Sequence, residues 1–195
     1  LHIQAHKLSF FKALLKGDLK IESYVGQLRM LAIIHETLER ETAASENKAL
    51  SVILDGYMPK LPLLLDDLKF FEDLNIKESS PVVQLAHGVT EKIRQRKEEQ
   101  PESLIGYLYT LEGSTMGGRI IKPHIAKTFN LDDESGGLLF FNSYGENVKS
   151  NWQGFLSRME QVVREEMQDD IVSASSELFN ELIRIYELLH PVEAG

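Results

Sequence analysis

The stretch Leu111-Glu112-Gly113-Ser114-Thr115-Met116-Gly117-Gly118-Arg119 puts three glycines into six residues of a segment, Glu102 to Phe129, whose apolar spacing is otherwise helical. A glycine inside a helix costs roughly 1 kcal/mol relative to alanine, so three cost on the order of 3 kcal/mol. That is a large part of the net stability of a domain. Two demands would account for it: a second helix crossing at close range, or a flat ligand lying against the backbone. Spacing alone favours the crossing, because packing glycines are commoner, and a kink at these residues would serve either. A phosphate loop is excluded, since no Lys-Ser/Thr pair follows the glycines and no strand pattern precedes them.

Outward from this segment, glycine and proline divide the chain into helix-sized blocks, and almost nothing alternates with a strand period. Gly17-Asp18 closes the first block, with Asp18 placed to cap the next helix. There Leu28, Leu31, His35 and Leu38 recur at three- and four-residue steps and share a face. Pro59 and Pro62 break the third block, and Leu64, Leu65, Leu68 and Phe71 resume a helical stripe. Ser80-Pro81 reads as a cap followed by proline in the first turn. Residues 132–151 read as a loop, and a final helical region carries Phe155, Met159, Val162, Val163, Leu178, Leu182, Ile185 and Leu189. The expectation is an all-α fold of seven or eight helices in one domain spanning residues 1–195.

Composition agrees. Hydrophobic residues make up 43% and charged residues 26%, which is globular rather than disordered. The net charge of −9 argues against nucleic acid as a partner. The absence of cysteine removes disulfides, thiolate metal sites and cysteine nucleophiles. No apolar run has the length of a membrane span and no signal-peptide pattern opens the chain, so a cytoplasmic location is expected.

Of the six histidines, His35 belongs on an apolar helical face, while His87, His124 and His190 stand without a metal-spaced partner. His2 and His6 are four apart and fall on one side of a helical first block. A two-histidine metal site is compatible with that spacing, but no His-Glu-x-x-His occurs and no carboxylate flanks either residue closely. A single axial histidine reaching a planar metal cofactor asks less of the sequence.

Two segments together resemble the heme oxygenase family, in particular its bacterial, biliverdin-producing branch. In that family the proximal heme-ligating histidine precedes a phenylalanine by eight residues, and a glycine follows seven later; His2, Phe10 and Gly17 reproduce both intervals. Leu111 to Arg119 resembles the glycine-kinked distal helix that covers the other heme face. Tyr24, Leu28, Leu31, Ile34, Leu38 and Glu39 follow the family's second helix, and Leu61-Pro62 through Phe70-Phe71 its third. Phe140-Phe141, Tyr144-Gly145, Trp152 and Phe155 resemble the loop and helix of the bacterial branch.

Departures accompany the likeness. Ser114 stands where mammalian members carry an aspartate that organises water, and His6 where a glutamate commonly accompanies the proximal histidine. Trp152 and Leu156 occupy positions of the basic residues that hold the heme propionates in mammalian members. Propionate binding then falls to other cations: Lys12, Lys16, Arg119, Lys122 and Lys149 are candidates.

The resemblance implies an oxidoreductase that takes heme as both cofactor and substrate and opens it to biliverdin, carbon monoxide and ferrous iron. It implies O2 and an external electron donor such as a ferredoxin or a reductase. His2 would hold the iron, with Gly113, Ser114, Gly117 and Gly118 close over the opposite face. The alternative is a catalytically inactive heme-binding or sensor protein of the same fold.

Overall fold

The computed structural model describes residues 8–132 and 136–191. Among these residues eight α-helices follow one another: α1 Ser9–Lys16, α2 Ile21–Ala43, α3 Lys48–Ile53, α4 Leu61–Phe70, α5 Ser80–Glu99, α6 Leu104–Phe129, α7 Val148–Val162 and α8 Glu165–Leu189. No strand occurs among the described residues.

The local signals place most of the boundaries. Gly17 adopts φ 81°, the left-handed conformation that ends α1, and its N–H returns to carbonyls of that helix. Asn47 caps α3 through its side-chain oxygen, which accepts from the N–H groups of Ala49 and Leu50. Pro62 and Pro81 lie in the first turns of α4 and α5, where their missing N–H leaves no gap in the ladder. Asp18 does not cap α2; Lys20 takes that position without a side-chain hydrogen bond. The final helical region is two helices, separated where Val163 and Arg164 turn extended. Glu165 and Glu166 then open α8, on the side of its dipole that favours carboxylates.

Helix α2 is the centre of the packing. Its Tyr24, Leu28, Met30, Ile34 and Leu38 are fully buried, and it lies against α5 and α4. Helix α6 packs along α8, and α1 rests on both. Helices α6 and α8 come very near at Gly106: a Cβ there would sit 2.2 Å from the Ile171 carbonyl oxygen and 2.8 Å from the Ser175 nitrogen. Only glycine permits two backbones to come that near.

The segment between α6 and α7 is held down at several points, from residue 136 onward. Tyr24 donates its hydroxyl to the Gly137 carbonyl at 2.6 Å. The buried Asp67 carboxylate accepts from the N–H groups of Leu139 at 2.8 Å and Phe140 at 2.9 Å. Gly136 and Gly137 have φ of 97° and 81° and let the backbone pass against the rings of Phe70 and Phe71. This loop is thereby laid against α6.

Candidate active site

The glycine segment lies within one continuous helix, α6, whose hydrogen bonding runs through to Phe129 past the interior Pro123. Its glycines differ in what they face. A Cβ on Gly113 would approach the Trp152 ring of α7 at 3.3 Å, and one on Gly118 the Phe141 ring of the loop at 3.5 Å. Among the described residues, nothing lies within 4 Å of the corresponding position on Gly117. The close helix crossing favoured from spacing is therefore made at Gly106, about three turns earlier, and not at Gly117. Between the two aromatic contacts the helix presents bare backbone to open space.

Two hydroxyls follow Gly113, and both turn inward on their own helix. Ser114 donates to the Leu111 carbonyl and Thr115 to the Glu112 carbonyl, each at 2.6 Å. Such back-bonding bends helices. Ser114 is itself exposed, at the position where the family resemblance anticipates water without a carboxylate.

Trp152, the single tryptophan, stacks on Phe155 with centroids 5.6 Å apart and meets Tyr109 at 5.3 Å. This aromatic group covers the Gly113 end of the segment. At the other end Arg119 pairs with Glu146 at 3.0 Å, and Lys122 donates to Asn142 at 3.1 Å. The loop thus gathers these two cations at one rim, whereas Lys12, Lys16 and Lys149 are exposed on α1 and α7. His2 and His6 lie outside the described residues. Among those described, no three His, Asp or Glu side chains gather into a metal site.

A buried polar cluster lies immediately before the glycines, and sequence reasoning did not single it out. Lys60, at the N-terminus of α4, is 0% exposed, and Glu112 on α6 is 3% exposed. The Lys60 ammonium donates to Glu112 Oε1 at 2.8 Å, to the Tyr144 hydroxyl at 2.9 Å and to the Met58 carbonyl at 2.6 Å. Tyr144 donates in turn to Glu112 Oε2 at 2.8 Å. The ammonium also sits over the rings of Tyr57 and Tyr144, 4.6 and 4.3 Å from their centroids. Glu39, on α2, accepts from the Lys60 backbone N–H at 2.6 Å and contacts His35 Nδ1 at 3.2 Å. The buried Nε2 of His35 has no hydrogen-bond partner among the described residues.

Burial lowers the Lys60 ammonium below the ordinary lysine value, against the attraction and hydrogen bond of Glu112. Burial likewise raises the Tyr144 phenol, helped by the Glu112 charge. At Glu39 burial opposes ionisation, but the hydrogen bond and charge of His35 and the N–H groups of Lys60 and Leu61 outweigh it, and the carboxyl falls below 4.5. Glu177 is lowered in the same sense: burial opposes ionisation there, and Arg96 and Lys92 outweigh it.

A lowered carboxyl contributes stability that is complete above its unfolded value and is lost as pH falls through its folded one. The melting temperature is therefore expected to decline below about pH 4.5. Asp67, raised by burial, acts in the opposite direction and softens that decline. Glu39→Gln should lower the melting temperature at neutral pH and flatten the acid limb. An unchanged limb would show that Glu39 is not ionised in the folded protein.

Comparison with known proteins gives one consistent outcome. Residues 1–187 match the heme oxygenase family. The chain is 26% identical to bovine heme oxygenase 1 over 195 residues, 93% of this chain and 67% of that protein. It is 28% identical to heme oxygenase 1 of Synechocystis over 142 residues, 72% of this chain, and spans 58% of that relative's length. Among solved structures, heme oxygenase-1 from Synechocystis in complex with heme superposes with a TM-score of 0.82 at 24% identity, covering 97% of this chain and 86% of that one. The heme oxygenase of Leptospira interrogans gives 0.81 at 23% identity, covering 96% of this chain and 93% of that one.

Proposed function

The chain belongs to the heme oxygenase family, and we propose that it binds heme and opens it to biliverdin, carbon monoxide and ferrous iron. O2 and electrons from an external donor are the co-reactants. The observation that carries the reading is the bare face of α6 at Gly117, bounded by Trp152 at Gly113 and by Phe141 at Gly118. Aromatic walls beside exposed helix backbone fit a flat, largely apolar ligand.

Bound heme would supply both the iron that reacts with O2 and the porphyrin that is opened. The protein's part is geometric and electrostatic. Gly113, Ser114, Gly117 and Gly118 would lie over the distal face, where a missing Cβ leaves room for O2 and little else. Backbone and hydroxyl groups there would hold water that delivers protons, since Ser114 replaces the mammalian aspartate. Arg119 and Lys122, gathered at one rim, suit two propionates, with Lys12, Lys16 and Lys149 as further cations. His2 would ligate the iron from the other face; its assignment rests on the interval to Phe10 and Gly17. No described helix is long and apolar enough to cross a membrane.

Trp152 gives the reading a direct test. Hemin bound beside Gly113 would lie within energy-transfer distance of the single tryptophan. Titration should quench its fluorescence with one equivalent of hemin, in step with a Soret band. His2→Ala should alter that Soret band, with recovery on adding imidazole. Quenching absent at saturating hemin would place the ligand elsewhere.

A further inference from the structure

We propose that Lys60, Glu112 and Tyr144 are positioning residues that fix the glycine segment of α6 against the covering loop and so determine which edge of bound heme is opened. The proposal rests on the heme oxygenase reading and assigns a task to residues outside its expected site.

The geometry of the cluster is over-determined. All three Lys60 ammonium protons have acceptors, and each Glu112 oxygen has its own donor. Glu112 is the last side chain before a stretch in which three of six residues offer nothing beyond Cα. Helices are set in rotation and height by their side chains, and Gly113 to Gly118 has few to offer. Glu112 supplies that setting at one end, joined through Lys60 to α4 and through Tyr144 to the loop. Phe141, three residues before Tyr144, touches Gly118 at the other end. Glu39 extends the connection to α2 through the Lys60 backbone N–H. One cluster therefore ties the bare helix face to the loop and helices around it.

Stability alone is a weak reason for burying these residues. Removing a lysine and a glutamate from water is costly, and apolar groups of similar volume commonly hold a core as well or better. In some proteins buried polar groups of this kind specify one arrangement among several. Here the arrangement specified is that of the backbone facing the ligand. A porphyrin offers four meso carbons, and a displacement of about 1 Å in the distal wall is enough to change which lies nearest the reacting oxygen.

The test replaces the cluster with apolar groups of similar size, as Lys60→Met/Glu112→Leu/Tyr144→Phe. The expected protein folds, melts no lower than the parent and retains hemin quenching of Trp152. It yields a mixture of biliverdin isomers where the parent yields one, and azide binds its ferric heme about tenfold differently. A triple variant with the parent's isomer and the parent's azide affinity overturns the proposal, because a purely structural cluster would be restored by apolar packing. Should the triple variant fail to fold, Tyr144→Phe, which removes one hydroxyl, takes its place: a changed isomer ratio and azide affinity support the positioning role, and parental values of both overturn it. A parent protein that binds hemin without producing biliverdin defeats the functional reading instead. The azide arm, which needs no turnover, then decides the positioning role.

Discussion

Gly117→Leu is expected to leave a folded, helical protein that has lost most of its capacity to form biliverdin. The two halves of that expectation come from different observations. No atom of the described residues lies within 4 Å of where a Cβ would project, so a side chain meets none of them at its root. The helix should even gain, since replacing an interior glycine relieves up to about 1 kcal/mol of backbone entropy. If the open space is the distal pocket, however, an isobutyl group fills the volume that O2 and water need. A steric intrusion of this kind costs on the order of 10²-fold in rate when it misplaces the reacting groups by about 1 Å. Circular dichroism, hemin titration and product spectra on one sample separate the effects. A stably folded Gly117→Leu protein with near-normal biliverdin yield would place this helix face away from the heme.

Gly106→Ala should do the reverse. The same single methyl would meet the Ile171 carbonyl oxygen at 2.2 Å and the Ser175 nitrogen at 2.8 Å, both backbone atoms of α8. Neither can rotate away as a side-chain tip can. Helices α6 and α8 must move apart, and overpacking of this severity costs about 3 kcal/mol or more. For a chain of this length that lowers the melting temperature by roughly 6–12 °C. Gly117→Ala, in the same helix, is the control and should melt at or above the parent. Equal melting temperatures for the two variants would refute the division of labour between these glycines.

That division also marks where sequence reasoning stops. Helical periodicity and the glycine and proline signals are sufficient for the all-α fold and for the ends of α1, α4 and α5, because caps and proline act locally. The break at Val163 is hidden, since neither glycine nor proline marks it and the apolar spacing continues on both sides. Spacing marks the glycines of α6 as places where close approach is allowed, but not which of them are approached or by what. Ile171, Trp152 and Phe141 come from three different later segments. Charge alone offers Lys12, Lys16, Arg119, Lys122 and Lys149 as partners for the propionates, without ranking them; the structure brings Arg119 and Lys122 to the loop through Glu146 and Asn142. The buried cluster has a faint signal at most. Glu112 stands inside the glycine motif as an acidic residue beside apolar neighbours, but Lys60 is 52 residues away and reads like any charged surface residue beside a proline. Long-range pairing of this kind has no periodic trace.

As proposed, this protein destroys the heme it binds. The most direct measurement supplies the hemin-loaded protein with an electron donor and O2 and follows the absorption spectrum while collecting the gas phase. The Soret band is expected to disappear, a biliverdin spectrum to replace it, and one carbon monoxide to be released per heme consumed. Heme that remains bound and spectrally unchanged, with several donors and ample O2, would contradict the claim and leave a carrier or sensor built on the same fold.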